Sequence, residues 1–293
     1  TALEALARAD TVVLDKTGTL TRGKPTLVRV LPFGLSQEEA LRLAAALERG
    51  SEHPLAKAVL EAAESLPQAQ AEEVRALPGE GVEGRVEGRR LHLGGPALME
   101  RLGVPLPEEA KALPEEGYTP LYLVEGTRLL AAFAVFDPPR PEAQEAVAAL
   151  KALGLKLVLL TGDHPAPARR VAEALGIPEV LAGVRPEGKV EAIRRLQAEG
   201  RKVVFVGDGI NDAAALAQAD VGLAMGSGTD IALEAGDVVL LTPDLRGVVN
   251  AVRLARRTLR TIYLNFFWAY AYNVVLIPVA AGVLRFEYPF LLL

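Results

Sequence analysis

The sequence predicts an α/β protein built on a doubly wound parallel sheet. Two patterns predict that fold class: continuous apolar runs, and the amphipathic stretches that separate them. Continuous apolar runs such as "KLVLL" and "KVVFV" alternate with amphipathic stretches throughout the second half of the chain. Strands that are buried on both faces have continuous apolar sequences, and parallel strands require helical crossovers between them. A third pattern, apolar residues alternating with glycine and charged residues, predicts antiparallel hairpins in the first half.

The first half of the chain begins with strand patterns and continues with two helices. "TVVLD" predicts a short buried strand that ends at Asp15, and "TLVRVLP" predicts a second strand. Ser36 and Glu39 form a capping-box pattern that starts the helix "SQEEALRLAAALERG", and "HPLAKAVLEAAES" predicts another amphipathic helix. The hairpin patterns follow in "PGEGVEGRVEGRRLHLGG" and in "TPLYLVEGTRLLAAFAVFD", which turns at Glu125 and Gly126.

Beyond Asp137 the predicted elements alternate regularly. Helices are predicted for "RPEAQEAVAALKALG", "HPAPARRVAEALGI", "RPEGKVEAIRRLQAEG" and "AAALAQA". Strands are predicted for "LKLVLLTGD", "KVVFVGDGIND", "VGLAM" and "DVVLL". This order of helices and apolar strands is typical of a parallel, doubly wound sheet.

Composition sets limits on the class of protein. A chain of 293 residues predicts two or more domains. The sequence contains no cysteine, which excludes disulfides, thiol catalysis and cysteine-based metal sites within it. A net charge of -5 argues against a general nucleic-acid-binding protein, so we expect no nucleic-acid partner. The opening "TALEALARAD" has no signal-peptide pattern and no initiating methionine, and we expect a piece of a longer protein.

The C-terminal segment differs from the rest of the chain. Thr261 to Leu284 contains no charged residue and exceeds the roughly 20 residues that cross a bilayer as a helix. It is preceded by Arg253, Arg256, Arg257 and Arg260. The positive-inside rule then predicts an integral membrane protein whose preceding domains lie in the cytoplasm. The alternative is a helix buried in the core.

Three predicted strands end in polar residues that can act on phosphate. Their ends read "LDKTGT", "LLTGD" and "VGDGIND", and in a parallel sheet such ends meet at one edge. The Asp15 carboxylate can attack phosphorus and form an acyl phosphate. Asp208 can hold Mg²⁺ beside it, and Lys189 can neutralise phosphoryl oxygens. The hydroxyl groups of Thr17 and Thr161 supply further donors to a phosphate.

The motifs "DKTGTLT", "TGD" and "GDGIND", in this order, resemble those of the P-type ATPases, ion pumps of the haloacid-dehalogenase superfamily. "SEHPLAKAV" and "GEGVEG" narrow the resemblance to the heavy-metal-transporting branch, and it covers essentially the whole chain. It implies a haloacid-dehalogenase-like doubly wound parallel sheet with an inserted α+β nucleotide-binding domain and a C-terminal transmembrane helix. The implied boundaries are 1–27 and 134–250 for the phosphorylation domain, 28–133 for the nucleotide-binding domain, and 251–293 for the juxtamembrane and transmembrane segment.

The resemblance also implies the roles of residues at the phosphate site. Asp15 is expected to be the phosphorylated aspartate, with ATP as substrate and Mg²⁺ held by Asp15, Thr17 and Asp208. Asp137 and Arg140 match the hinge at which the inserted domain returns. The implied catalytic residues are Asp15, Lys16, Thr17, Thr161, Gly162, Asp163, Lys189, Asp208, Asn211 and Asp212.

In the heavy-metal branch, adenine is held by the glutamate and histidine of "SEHP" and by a glycine-rich loop. The corresponding residues are Glu52, His53, Gly79, Gly81 and Gly94. An imidazole can stack on a purine, and glycine permits close backbone approach. The alternative for His53 is a helix-start residue, and we expect His92 and His164 to be surface residues. Two positions depart from the family pattern, because Gly95 stands where asparagine is frequent and Ala214 where proline is usual.

The predicted function is ATP-driven transport of a heavy-metal cation, Cu⁺ in the first place, through an aspartyl phosphate. "AYNVVLIPVAAG" resembles the copper-transporting class, so Tyr272 and Asn273 are expected to line the ion path, with helix packing as their alternative role. A zinc or other heavy-metal pump is the alternative within the family. The expected partners are membrane lipid, an actuator domain and further membrane helices of the same pump.

Two other classes of protein are less consistent with the sequence. A soluble phosphatase of the same superfamily usually has a second aspartate two residues after the nucleophile, where this chain has Thr17. A non-enzymatic nucleotide-binding regulator is disfavoured because every catalytic position is retained.

Overall fold

The computed structural model describes residues 1–209, 211–225, 238–240 and 244–280. Within these ranges the strands are β1 (Thr11–Asp15), β2 (Thr26–Pro32), β3 (Ala71–Leu77), β4 (Gly81–Val86), β5 (Arg89–Gly94), β6 (Thr119–Glu125), β7 (Arg128–Phe136), β8 (Lys156–Leu160), β9 (Glu179–Leu181), β10 (Val203–Asp208), β11 (Val221–Met225) and β12 (Val238–Val239). The helices of the same ranges are α1 (Ala2–Arg8), α2 (Gln37–Glu48), α3 (Pro54–Ala62), α4 (Pro96–Leu102), α5 (Glu108–Lys111), α6 (Ala143–Ala152), α7 (Pro165–Leu175), α8 (Lys189–Ala198), α9 (Ala213–Gln218) and α10 (Arg246–Ala280).

One sheet is parallel throughout and has the strand order β12-β11-β10-β1-β8-β9. Side chains from α1, α6, α7 and α10 pack on one face, and side chains from α8 and α9 pack on the other. The five residues of β1 are all buried, as expected for a strand covered on both faces. The predicted α/β class with a doubly wound parallel sheet is therefore confirmed.

The second sheet is antiparallel and has the order β2-β7-β6-β5-β4-β3. Helices α2 and α3 cover one face, and α4 and α5 lie on the other. The predicted turn between β6 and β7 contains Gly126 with φ +64°, a left-handed conformation that glycine adopts without strain.

Two chain segments connect the sheets and are bonded to each other beside the end of β1. The Thr21 hydroxyl donates to Asp137 Oδ2 at 2.6 Å, and Thr21 also pairs with Pro139 as an isolated bridge. The Arg140 guanidinium donates to the Thr19 carbonyl oxygen at 2.8 Å. The connection between the sheets is thereby attached to the loop that follows Asp15.

Two examples show where the local sequence signals and the observed structure differ. Ser36 caps α2 as predicted, since its hydroxyl accepts from the Glu39 amide at 3.1 Å. The Glu39 carboxylate, however, accepts from Arg42 rather than completing the capping box. The short strand β9 was not predicted, because three residues are too few to show a period.

Helix α10 begins on the parallel sheet and continues beyond it. Val248, Val249, Val252 and Ala255 are buried against the sheet, whereas residues 260–280 are almost all exposed. Among the described residues, α10 is the helix that is long and apolar enough to cross a membrane. Only 6% of its apolar 18-residue stretch is buried. Such exposure argues against a buried core helix. The last part of the predicted segment, 281–284, lies outside the described residues.

Candidate active site and nucleotide cavity

Asp15 lies at the carboxyl end of the central strand β1, with β8 on one side and β10 on the other. The register pairs Asp15 with Leu160, so Thr161 follows at the same edge. Asp208 ends β10 at this edge. Asp15 is 4% exposed and Thr161 is 2% exposed. The strand order therefore brings the three predicted motif ends together.

Lys189 connects two carboxylates at this edge. Its ammonium group lies 3.3 Å from each Asp15 carboxylate oxygen and donates to Asp212 Oδ1 at 2.8 Å. The other Asp212 oxygen accepts from the Asp208 amide at 3.0 Å. Asp212 is buried, so its carboxylate needs these donors.

Burial and the neighbouring Asp212 carboxylate raise the pKa of Asp15 to about 8, although Lys189 lowers it. Burial disfavours the charge on Lys189, but the attraction of Asp15 and Asp212 outweighs it and raises the pKa of the lysine. A nucleophilic carboxylate must be ionised. The site therefore needs more positive charge at Asp15 than Lys189 provides alone.

The loop after Asp15 turns sharply at Gly18, which has φ +79°. Lys16 is buried, and its ammonium group pairs with Asp163 at 2.5 Å rather than with Asp15. Thr17 is exposed. The loop therefore leaves Thr17 accessible to a ligand, while Lys16 links the loop to the "TGD" motif.

The remaining predicted catalytic residues surround this edge. The Thr161 hydroxyl accepts from the Asp163 amide at 3.1 Å, which fixes the "TGD" turn, and Gly162 is exposed within it. Asn211 donates to Asp208 Oδ2 at 3.1 Å. The structure thus assembles the predicted residues, but their catalytic roles stay predictions.

The residues present fit a Mg²⁺ ion. The described residues include no cluster of three His, Cys, Asp or Glu side chains suited to a metal. Mg²⁺ at phosphoryl-transfer sites is commonly held by one or two carboxylates, with phosphate oxygens and water completing the shell. Asp15 and Asp208, at the ends of neighbouring strands, offer such a carboxylate pair. A cation there would also favour the ionised form of Asp15.

A cavity of about 650 Å³ lies on the antiparallel sheet, within the 300–1,000 Å³ typical of small-molecule sites. Its walls are mainly apolar and include Leu47, Val74, Val82 and Leu121. Four of the five predicted nucleotide-binding residues line it, namely His53, Gly79, Gly81 and Gly94. An apolar cavity with few polar groups is suited to a planar purine.

The glycines of this cavity serve two different purposes. A Cβ atom on Gly81 would lie 2.1 Å from the Leu93 carbonyl oxygen, and one on Gly94 would lie 2.2 Å from the Glu80 carbonyl oxygen. The close approach of neighbouring backbone therefore requires glycine at both positions, and their predicted contact with a nucleotide stays a prediction. Gly79 has open space around it and φ +74°, so its backbone conformation is the constraint.

Glu52 does not line the cavity, in contrast to Glu48, the last residue of α2 and four residues earlier in the chain. Glu52 is exposed, whereas Glu48 ends α2 half-buried, and burial raises its pKa to about 7. The sequence analysis did not single out Glu48 as a residue of this cavity. A usable signal was its position four residues after Ala44 on the buried face of α2.

The three histidines occupy different environments. His53 caps α3, since its Nδ1 accepts from the Leu55 amide at 3.2 Å, so the predicted helix-start role is present while the ring still borders the cavity. A neutral ring that accepts at Nδ1 carries its hydrogen on Nε2. His164 is exposed as expected. It is the N-cap residue of α7 and also lines the cavity. The expectation that His92 lies at the surface is wrong. His92 is half-buried and pairs with Glu83 at 2.9 Å.

Tyr272 and Asn273 lie in the exposed part of α10. They are far along the helix from the parallel sheet, and the described residues place no second membrane helix beside them. Their predicted role in an ion path stays a prediction.

The sequence matches the family model described as haloacid dehalogenase-like hydrolase over residues 9–220. It is 48% identical over 289 residues to copper-transporting ATPase 1 of Rhizobium meliloti (strain 1021), with 97% of this chain and 35% of that protein covered. It is 42% identical to copper-exporting P-type ATPase B of Archaeoglobus fulgidus, with 97% of this chain and 41% of that protein covered. The chain spans about a third of the length of the first of these relatives.

Solved structures of two kinds are similar to the chain. The crystal structure of a zinc-transporting PIB-type ATPase in its E2.Pi state has a TM-score of 0.71 and 40% identity, covering 96% of this chain and 47% of that one. The catalytic CPx-ATPase domain CopB-B has a TM-score of 0.65 and 30% identity, covering 87% of this chain and 91% of that one. The fold class is thus that of a hydrolase with a haloacid dehalogenase-like core. The chain belongs to the haloacid dehalogenase-like hydrolase family, and within it to the P-type ATPases.

Proposed function

We propose that this chain is the catalytic part of a heavy-metal pump, in which ATP phosphorylates Asp15. The observation that carries the proposal is the buried cluster of Asp15, Lys189 and Asp212 at the edge of the parallel sheet. In this proposal residues 1–27 and 134–250 form the phosphorylation domain, 28–133 the nucleotide-binding domain, and 251–293 the juxtamembrane and transmembrane segment.

The proposed step is an in-line displacement at the γ-phosphorus of ATP. An Asp15 carboxylate oxygen forms the new O–P bond, while the bond from the γ-phosphorus to the bridging oxygen breaks and ADP leaves with that electron pair. Lys189 already contacts both Asp15 oxygens and can neutralise the phosphoryl oxygens that approach them. Bound Mg²⁺ would supply the remaining positive charge between Asp15, Asp208 and the phosphate.

Thr17 favours a pump with a long-lived phosphoenzyme over a soluble phosphatase that hydrolyses its phosphoenzyme rapidly. Thr17 has no carboxylate with which to activate water. The acyl phosphate should therefore persist until another part of the pump directs water to it. Slow release of phosphate from a small phosphate ester is the expected behaviour of this chain.

We expect Glu48→Gln to weaken ATP binding by about tenfold, because the Glu48 carboxyl lies at the apolar cavity and can hydrogen-bond the purine. One such hydrogen bond contributes about 1–1.5 kcal/mol. Glu38→Gln is the matched control, since it makes the same chemical change at an exposed position of the same helix outside the cavity. Calorimetric titration with Mg²⁺ and a non-hydrolysable ATP analogue measures both. Equal affinities of the two variants would remove Glu48 from the nucleotide site.

We expect His53→Ala to weaken the same binding by roughly tenfold to a hundredfold, a loss of about 1–3 kcal/mol. Because His53 also caps α3, a second variant is needed to separate the two effects. His53→Asn keeps a good capping side chain but removes the imidazole. Weakened binding in both variants supports a contact between the ring and the nucleotide. Full affinity in His53→Asn would leave His53 as a helix cap alone.

For the transported ion we propose Cu⁺, with Tyr272 and Asn273 beside its path. The proposal is supported by relatives whose names specify copper, at 42–49% identity. Tyrosine and asparagine side chains are oxygen donors, so a soft Cu⁺ ion would need sulfur ligands from other helices of the pump. In the same proposal α10 crosses the membrane, and the parallel sheet lies on the cytoplasmic side, next to the arginines of α10.

A zinc pump is the second candidate, because a zinc-transporting PIB-type ATPase is 40% identical to this chain. The two candidates differ in a direct measurement on the intact pump reconstituted in vesicles. We expect Cu⁺ to stimulate ATP hydrolysis, with little response to Zn²⁺. Stimulation by Zn²⁺ and not by Cu⁺ would overturn the assignment. An unchanged Cu⁺ response in Tyr272→Phe/Asn273→Ala would remove these two residues from the path.

A further inference from the structure

A groove of about 430 Å³ lies between α1 and the part of α10 that leaves the parallel sheet. Arg256, Arg260 and Tyr263 line its polar end, and Leu264 and Phe267 line its apolar end, with Ala7 on the side of α1. We call it the juxtamembrane groove. We propose that it binds one anionic phospholipid, and this inference rests on the proposed membrane crossing of α10.

The charge around the groove is strongly positive although the whole chain carries a net charge of -5. The first part of α10, residues 246–260, contains five arginines and no acidic residue: Arg246, Arg253, Arg256, Arg257 and Arg260. Among the described residues, Arg257 and Arg260 have no carboxylate partner, while Arg246 pairs with Asp244. The nearest acidic group on α1, Glu4, pairs with Arg8 at 3.0 Å. An anionic ligand would therefore meet little competition from the protein's own carboxylates.

Existing hydrogen bonds hold the polar end of the groove in shape. Arg8 donates to the Tyr263 hydroxyl oxygen, which joins α1 to α10 and leaves the tyrosine hydrogen free to donate. Arg256 donates to the Leu153 carbonyl oxygen at 2.6 Å. Arg260 is exposed and has its donors available. A guanidinium group and a phenol hydroxyl together suit a phosphate.

The apolar end matches the other half of a phospholipid. Leu264 is 49% exposed and Phe267 is 59% exposed. From Arg260 to Phe267 the helix rises about 10 Å, at roughly 1.5 Å per residue. That distance separates a headgroup phosphate from the upper part of an acyl chain. A free phosphate would use only the arginine end, and a second copy of this chain would bring the same positive charge.

The test is native mass spectrometry of the chain in detergent, titrated with phosphatidylglycerol or with phosphatidylcholine. We expect one phosphatidylglycerol to bind with clear preference. Arg260→Gln should weaken that binding about fivefold, as expected for the loss of one arginine near a lipid surface, about 1 kcal/mol. Arg257→Gln is the matched control, with the same loss of charge on the same helix but outside the groove. It should retain the parent affinity.

Several outcomes would overturn the inference. Equal weakening in Arg257→Gln and Arg260→Gln would indicate general surface charge, and equal binding of the two lipids would remove the role of the anion. Displacement of the lipid by millimolar inorganic phosphate would indicate a phosphate site, and a dimer mass lost in Phe267→Ala would indicate a second copy in the groove. Failure of α10 to insert into vesicles would remove the membrane premise. Labelling of Asp15 by ATP is independent of all these results and tests the proposed function separately.

Discussion

Asp15→Asn should abolish the labelling of this chain by ATP that carries ³²P in its γ-phosphate. The amide cannot attack phosphorus, and the neighbouring Asp212 carboxylate is already bonded to Lys189 and to the Asp208 amide. An acyl phosphate is cleaved by hydroxylamine, whereas a phosphoserine is not. We therefore expect hydroxylamine-sensitive label in the parent and a loss of at least about a hundredfold in the variant, comparable to the removal of a nucleophile in other enzymes.

The matched control for this experiment lies at the other end of the same strand. Asp10 is exposed and accepts from the Thr11 hydroxyl at 2.9 Å and from the Lys202 amide at 3.1 Å. Asp10→Asn keeps an acceptor oxygen and should label like the parent. Equal hydroxylamine-sensitive label in Asp15→Asn and the parent would contradict the assignment of Asp15 as the phosphorylated residue.

Lys189→Gln should reduce both phosphorylation and stability. Without the ammonium group, the buried carboxylates of Asp15 and Asp212 face each other with no cation between them. Removing one partner of a buried ion pair costs about 3–5 kcal/mol. Loss of a group that stabilises the transferring phosphoryl should lower the phosphorylation rate by about 10²–10³. Chemical denaturation followed by circular dichroism measures the first effect, and the rate of labelling measures the second.

A double variant separates the two effects of Lys189. Lys189→Gln/Asp212→Asn removes one carboxylate together with the cation, so most of the lost stability should return while phosphorylation stays low. Lys202→Gln, an exposed lysine at the opposite end of β10, is the control for the loss of a positive charge and should change neither quantity. If the double variant recovered phosphorylation as well, the role of Lys189 would be structural and not electrostatic.

Much of the fold followed from local patterns. The continuous apolar runs of β1, β8 and β10 predicted buried parallel strands, because only strands covered on both faces have such sequences. The small elements β9 and α5 did not follow from them, because three or four residues show no period. Their formation depends on contacts with elements distant in the sequence.

The nucleotide cavity shows where local reasoning reaches its limit. The motif "SEHP" predicts a nucleotide contact for Glu52, which stays a prediction, whereas Glu48, four residues earlier, borders the cavity. Both residues are glutamates at or shortly after the end of α2, so the residue type alone does not distinguish them. What distinguishes them is which side of the chain faces the antiparallel sheet, and this depends on how α2 packs on it.

The sequence by itself determined the identity of the reactive groups and the type of element that carries each one. A carboxylate after an apolar strand and a lysine at the start of a helix are local properties, and the residue order alone specifies them. The tertiary structure decided which of these groups meet. Lys189 reaches Asp15 across 174 positions of the chain because β1 lies between β8 and β10 and because α8 covers one face of that sheet. Distances between remote residues depend on strand order and helix packing, and these arise from the burial of apolar side chains over the whole domain.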